Sequence, residues 1–519
     1  MLVRALSFAV LGVDAVPVEV ETDIAQGLPA YTVVGLPGGA VRESDDRIRA
    51  AIRNSGLPFP GRKVTVNLAP ADLRKDGALL DLPIALSVLC AEGVLAGESL
   101  GRWIIAGELS LDGSVRPIRG ALSQALLARE LGVPGVITPA ASGEEARLVP
   151  GVRVAAVRTL REAAGIVAGE PLPPAVGPEG PPAGGPGCVG PGIPESARPP
   201  DLSDIVGQPM ALRALEIAAA GSHAMLMAGP PGSGKTMLAE RIPGILPSLS
   251  PAEALETTRI YSAAGEPPWP RPLLRRPFRA PHCSITPAAL LGGGNPPRPG
   301  EVSFAHGGVL FLDEFSEFRP ETREALRQPI ESGEIRISRA GRRYRFPCRF
   351  LLVAATNPCP CGNAGHPRNI CRCPAAALQR FYRRFSGPLL DRIDLSVVVS
   401  HPAPEAWEGQ FPGETSGEVL RRVDACRAVQ EARYAGHPHR ANGTARASTS
   451  ELLRELTPEA RRFLLRAAAR LSLSGRGIGK VCRVARTIAD LAAEPRVGLP
   501  HASEALQFRL PVPGNADAG

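Results

Sequence analysis

Lysine is nearly missing from this chain. Lys63, Lys75, Lys235 and Lys480 are the only four among 59 basic residues in 519. The rest of the positive charge is arginine, a bias spread over the whole composition, so arginine abundance alone assigns no function. Aromatic residues are also scarce, at 4%, which argues against a binding mode built mainly on base stacking. No stretch approaches the roughly 18 apolar residues of a membrane span, so no membrane partner is expected. The opening "MLVRALSFAVLGVDAVPVEV" has one arginine and a short apolar run, as a secretory leader would. Asp14 interrupts that run, and alternation resumes at Val16, Val18 and Val20, the pattern of a strand. The expected location is therefore the cytoplasm, where the ten cysteines are thiols or metal ligands rather than disulfides.

What is present points to a multidomain α/β protein. The length implies two to four domains, and a 44% hydrophobic content is ordinary for folded chains. The net charge of +8 permits a nucleic-acid or other polyanionic partner. Between residues 171 and 200, eighteen of thirty residues are Pro or Gly. Such a stretch can neither bury apolar surface nor form regular ladders, so it reads as a linker, placed at 169–200. Before it, an N-terminal domain (1–168) mixes strands ("VPVEVETDI", "RKVTVNLAP"), a helix ("AVRESDDRIRAAIRNSG") and a hairpin around Asp112-Gly113. After it, strands and helices alternate over 201–400, which implies a largely parallel sheet. Residues 401–510 read as helix after helix, a lid-like bundle, and 511–519 as a tail.

The chemistry begins at "GPPGSGKT": Gly229, Pro230, Pro231, Gly232, Ser233, Gly234, Lys235 and Thr236. Every fixed position of G-x-x-x-x-G-K-[ST] is filled, between an apolar strand and a helix. The glycines let backbone N–H groups turn in around phosphate oxygens. Lys235 reaches the β- and γ-phosphates of ATP, and the Thr236 hydroxyl ligates Mg²⁺. "VLFLDE" is four apolar residues followed by two acids. A buried strand would deliver both to its C-terminal edge, with Asp313 in the Mg²⁺ shell and Glu314 polarising the attacking water. "LLVAATNP" places Asn357 at the end of another apolar strand, where its amide can orient that water; an ordinary Asn-Pro turn is the alternative. Arg392 in "SGPLLDRIDL" is positioned to reach the nucleotide of a neighbouring subunit, or to pair on the surface with Asp391 or Asp394.

The order of phosphate loop, "LFLDE", "ATNP" and "LLDRID" resembles an AAA+ ATPase of the magnesium-chelatase-like group. "GLPAYTVVGLPGGAVRESDDRIRAAIRNSG", "VNLAPADLRKDGALLDLPIAL", "FRAPHCSITPAALLGGG", "NPCPCG" and "SGPLLDRIDL" resemble the ComM/YifB family within it. The resemblance covers residues 1–168 and 201–510. It implies an AAA+ P-loop core with a helical lid, preceded by a Lon-protease-like (S5-like) α+β domain. It also implies a homo-oligomeric ring, a hexamer by expectation, with ATP sites between subunits. The implied activity is a DNA branch-migration helicase of recombination and natural transformation, acting on single-stranded or branched DNA. In this likeness Asn357 is sensor 1 and Arg392 the arginine finger. Arg476 of "SGRGIG" is the sensor 2 arginine, although Gly475, Ile478 and Gly479 depart from the family pattern and leave Arg483 as its rival. The hairpin "GEIRISRAGRRYRF" has its turn at Ala340-Gly341. It would point into the ring, with Arg339, Arg342 and Arg343 gripping phosphates. A Lon-type peptidase needs a Ser-Lys pair; Ala78, Leu79, Leu80 and Leu122 stand near those positions, so no peptidase activity is expected.

Two other classes compete: an ATPase subunit driving metal insertion into a macrocycle, and a protein-remodelling chaperone ring. The basic hairpin and the Lon-like domain favour the DNA motor, and there is no clear aromatic pore loop. One motif stands apart. "CPCGNAGHPRNICRC" carries Cys359, Cys361, Cys371 and Cys373 as two C-x-C pairs, which either close a structural Zn²⁺ site or form a loop of reduced thiols. Lying between Asn357 and Arg392, it reads as a structural clip on a subunit-facing insertion rather than as a catalytic metal.

Overall fold

The alternating apolar residues of the first 25 positions build a hairpin. β1 (Val3–Leu11) and β2 (Asp14–Ala25) pair antiparallel, from Val3 opposite Thr22 to Leu11 opposite Asp14. Gly12, at φ +73°, makes the tight turn. The computed structural model describes residues 2–73, 75, 77–171, 200–266, 275–339, 341–364, 369–384, 392–402, 413–436 and 441–509. Most of the expected linker (172–199), the expected tail (511–519), Asp391 and Ala340 of the hairpin turn lie outside the described residues.

The chain divides into two compact units that cut across sequence order. The first takes Met1–Pro191, Pro251–Leu273 and Arg336–Phe346; the second takes Gly192–Ser250, Leu274–Ile335 and Pro347–Gly519. The expected core domain, 201–400, therefore lends two segments to the first unit.

In the first unit, β1 and β2 join β3 (Ala30–Val34), β4 (Lys63–Ala69), β5 (Trp103–Ile105), β8 (Gly135–Pro139) and β9 (Arg153–Val157). The sheet order is β3-β4-β2-β1-β5-β8-β9. β2 runs antiparallel to both neighbours, and the remaining pairs are parallel. The helix Asp81–Ala91 is buried at all eleven positions, Asp81 and Ser87 included. The short hairpin of β6 (Glu108–Leu109) and β7 (Val115–Arg116) forms where Asp112-Gly113 predicts it. Asp112 Oδ1 accepts from the Ser114 amide at 2.9 Å and the Ser114 hydroxyl at 2.7 Å. The expected single helix after Gly39 is two, Gly39–Arg42 and Ser44–Asn54, joined at Glu43.

The second unit is built on a five-stranded sheet, order β11-β14-β17-β10-β18. Its strands are β10 (Met225–Ala228), β11 (Phe278–Arg279), β14 (Val309–Leu312), β17 (Leu351–Thr356) and β18 (Leu395–Val398). All pairs are parallel. Every residue of β10, β14 and β17 is buried, as parallel strands covered on both faces demand. β12 (Gly292–Gly294) and β13 (Pro297–Pro299) form a small antiparallel pair outside this sheet; another, β15 (Glu334–Arg339) with β16 (Arg342–Pro347), falls almost wholly in the Arg336–Phe346 segment of the first unit. The helices Ser416–Arg433, Thr449–Arg454, Pro458–Arg470, Gly475–Leu491 and Leu499–Gln507 follow. They share one hydrophobic core with the sheet: Val481, Val484 and Ile488 belong to the same buried cluster as Met225, Phe311 and Val353. Among the described residues no helix is long and apolar enough to cross a membrane.

Candidate functional site

Parallel register decides where the motifs meet. Ala228 lies opposite both Thr356 and Val398, and Leu312 opposite Ala354. The C-terminal ends of β10, β14, β17 and β18 therefore share one edge, the usual ligand crevice of an open parallel sheet. Gly229, Asp313 and Asn357 all follow at that edge.

The loop Gly229–Gly234 leaves β10 and feeds the short helix Lys235–Ala239. Its glycines are required by geometry. A Cβ at Gly229 would sit 2.1 Å from the Val399 carbonyl oxygen, and Gly232 and Gly234 have φ of +76° and +90°. Lys235 is 9% exposed. Its Nζ donates to the carbonyls of Gly229 (2.7 Å) and Pro230 (2.8 Å). Burial lowers its pKa, and the carboxylates of Asp313 and Glu314 pull the other way. The buried Ser233 hydroxyl has no protein partner. The Thr236 hydroxyl donates to Asp313 Oδ2 at 2.8 Å, and Asp313 Oδ1 accepts the Glu314 amide at 2.8 Å.

These residues fit ATP and Mg²⁺. A glycine cradle without side chains, an ammonium folded back on its own loop and an orphaned buried hydroxyl suit phosphate oxygens. An adjacent hydroxyl and carboxylate are the hard oxygen donors Mg²⁺ selects. Glu314 is held at φ +49°, a left-handed conformation that costs a non-glycine residue roughly 1 kcal/mol. Cys283 Sγ lies 4.0 Å from Glu314 Oε2, a neighbour that spacing in the sequence did not reveal.

Arg392 is brought elsewhere. Its guanidinium pairs with Glu331, not with Asp394, whose partners are His223 and Lys480. Burial and the nearby charges of Arg327 and Arg476 push its pKa down. Arg476, on the first turn of the helix Gly475–Leu491, thus stands near Arg392. Arg483 is half-buried on the same helix, and its charge helps to hold the Asp394 pKa low. On the β15–β16 hairpin Arg339 and Arg343 are exposed. Arg342 is half-buried, and its Nη2 donates to the Asp72 carbonyl. Ala78 and Leu80 begin and end a turn of 3₁₀ helix with Leu79 between them, and Leu122 is fully buried. None of the four offers a nucleophile or a base.

The four cysteines converge. Their Sγ atoms all lie within 4.8 Å of one another. Cys359 and Cys361 are 3.4 Å apart, Cys361 and Cys371 3.7 Å, and Cys371 and Cys359 3.6 Å. All four are free thiols, so the cluster could hold a metal ion.

Comparison with known proteins agrees with this layout. The model for "Magnesium chelatase, subunit ChlI" matches residues 201–406, that for "Subunit ChlI of Mg-chelatase" residues 20–142, and that for the ChlI C-terminal part residues 413–509. The competence protein ComM of Haemophilus influenzae is 40% identical over 98% of this chain and 97% of its own length. The chain belongs to the magnesium-chelatase-like family. Within it, YifB of Escherichia coli is 40% identical over 96% of both chains. An uncharacterised protein of Mycobacterium tuberculosis is 44% identical over 98% of both. Membership in this family implies an ATPase.

Proposed function

We propose that this protein is a ring-forming ATP-dependent DNA motor, a branch-migration helicase acting in homologous recombination and natural transformation. The observation that carries the ATPase half is the 2.8 Å bond joining Thr236 of the phosphate loop to Asp313 of the neighbouring strand. Mg²⁺ bound with ATP supplies charge neutralisation there. Lys235 binds the phosphates, Asp313 and Thr236 hold the metal shell, Glu314 takes the proton of the attacking water, and Asn357 orients that water. Arg392 and Arg476 serve a nucleotide bound at the junction of subunits, with a hexamer as the expected ring. The helices after residue 413 act as the AAA+ lid, and the first unit carries a Lon-like fold without its catalytic pair. The DNA half is supported by the near full-length similarity to a competence protein and by the exposed Arg339 and Arg343. In this reading the four cysteines hold a structural Zn²⁺, apart from the catalytic Mg²⁺.

ATPase rate with and without branched or single-stranded DNA, beside a branch-migration assay, tests the proposal. Native protein is expected to be stimulated by DNA and to move branches, and Lys235→Ala to do neither. Glu314→Gln is expected to bind ATP while losing roughly 10²- to 10⁴-fold in turnover. ATP hydrolysis with no DNA binding at low salt would discard the motor reading. It would favour the alternative supported by the matching family models, an ATPase subunit driving metal insertion.

A further inference from the structure

We propose that Zn²⁺ held by Cys359, Cys361, Cys371 and Cys373 braces the phosphate loop, so that metal occupancy sets the affinity for nucleotide. The coupling rests on the reading of Gly229–Thr236 as the ATP site. The metal itself rests on the sulfur geometry alone.

Tetrahedral Zn²⁺ with bonds of about 2.3 Å separates its sulfur ligands by about 3.8 Å. The three close separations here, 3.4, 3.6 and 3.7 Å, match that edge. They are far from the roughly 2 Å of a disulfide. Four soft thiolates select Zn²⁺ over Mg²⁺ or Ca²⁺, which take oxygen. The Ala364 amide donates to Cys359 Sγ at 3.2 Å, the kind of outer hydrogen bond that orients a metal thiolate. Further backbone amides of the loop, those of Cys361 and Asn363, also donate to its sulfurs. Its described residues between Cys359 and Ala364 form no helix or strand. Besides the amide–sulfur bonds, Gly362 N–H donates to the Cys359 carbonyl at 3.0 Å, and the Tyr382 hydroxyl donates to the Pro358 carbonyl at 3.3 Å. A metal would supply the order that backbone ladders do not.

The loop meets the phosphate loop at Gly362 and continues directly from the strand end that bears Asn357. Cys359 is fully buried and follows Asn357 by two residues. Gly362, between the first two ligands and the rest, lies against Pro231 of the phosphate loop. A Cβ at Gly362 would stand 2.6 Å from Pro231 Cδ, and its φ is +78°. Only glycine allows this contact, on both steric and conformational grounds. The sequence places the cysteines on an insertion between Asn357 and Arg392. The folded chain sets Gly362, next to the second of them, against Pro231 of its own phosphate loop. With the ion gone, four thiols so close together lose the charge that holds them, and Pro231 loses its backing.

The test uses the purified full-length chain. Elemental analysis is expected to find one zinc per chain, and Co²⁺ substitution to give thiolate charge-transfer and tetrahedral ligand-field bands. Stripping the metal with a mercurial and a chelator, then restoring Zn²⁺, is followed by titration with a fluorescent ATP analogue and by far-ultraviolet circular dichroism. Metal loss is expected to weaken binding about tenfold or more with the circular dichroism unchanged, and Zn²⁺ to restore it. Gly362→Ala is expected to keep its zinc and still bind nucleotide more weakly, which isolates the Pro231 contact. Cys373→Ser is expected to lose zinc and to bind nucleotide about as weakly as stripped protein, and reversible stripping keeps the test decisive if that variant fails to fold. Reduced protein that retains no zinc overturns the site. Unchanged affinity in folded, stripped protein overturns the coupling alone. Zinc-loaded protein that binds no nucleotide refutes the ATP reading beneath it and leaves the metal site standing.

Discussion

Three of the four lysines are buried with their ammonium groups on backbone carbonyls. Lys75 donates to Gly35 (2.9 Å), Leu68 (2.8 Å) and Pro70. Lys235 donates to its own loop, and Lys480 to Ile393 at 2.9 Å. In a chain that otherwise uses arginine, these are sites where a compact three-donor charge fits and a planar fork does not. Lys75→Arg is accordingly expected to destabilise the first unit despite keeping the charge, read as a lower thermal midpoint. Glu145 offers a pH test in the same unit. It is 4% exposed, and its Oε1 accepts the Leu122 amide at 2.7 Å and the Ser262 hydroxyl. Burial lifts its pKa from 4.5 to about 7. The folded state then holds a proton that the unfolded state has released, so stability falls as pH rises from 4.5 to 7, by about 3 kcal/mol. Glu145→Gln keeps an acceptor and removes that slope. Its thermal midpoint should exceed that of the native chain above pH 7 and match it below pH 4.5. Neither site was legible beforehand, because burial of a single charge depends on what folds over it.

At the scale of elements, the helix Gly475–Leu491 is pinned to the start of β18 by a buried polar cluster. His223 Nδ1 lies 3.2 Å from Asp394 Oδ2, and its Nε2 lies 2.8 Å from the Thr487 hydroxyl. Lys480 Nζ is 3.9 Å from Asp394 Oδ1. Burial alone would raise the Asp394 pKa, but His223, Lys480 and Arg483 together hold it below the ordinary range. Lys480 follows Arg476 by one helical turn, and the carbonyl it holds adjoins Arg392, so one residue ties together the segments bearing both arginines. Asp394→Ala would strand the buried His223 Nδ1 and take the carboxylate from beside the buried Lys480 charge, and is expected to cost about 3–5 kcal/mol in urea unfolding. Element type was readable wherever periodicity was strong. The strands β10 and β14, wholly apolar, and β17, apolar up to Thr356, announce themselves locally. The break at Glu43 and the polar cluster do not, since the first is a local compromise and the second joins residues more than 250 positions apart.

At the scale of the whole molecule, Arg339 and Arg343 are expected to carry phosphate contacts. Replacing both with alanine should weaken DNA binding and reduce its salt slope by roughly two, with basal ATPase unchanged. Arg342, bonded to the Asp72 carbonyl, is expected to contribute less to that slope. The first unit should not cleave casein with ATP, since Ala78, Leu79, Leu80 and Leu122 carry no catalytic group. Read alone, the sequence determined the phosphate loop, the acidic strand end, the alternating α/β order and the family likeness, because each is written in residues adjacent along the chain. Tertiary structure decided the rest. Parallel register brought Thr236 to Asp313, and compact packing drew residues 336–346 into the first unit. Folding also brought four cysteine sulfurs within 4.8 Å of one another and set Gly362 beside Pro231. Such contacts join residues far apart in sequence, and only the closed core specifies which of them meet.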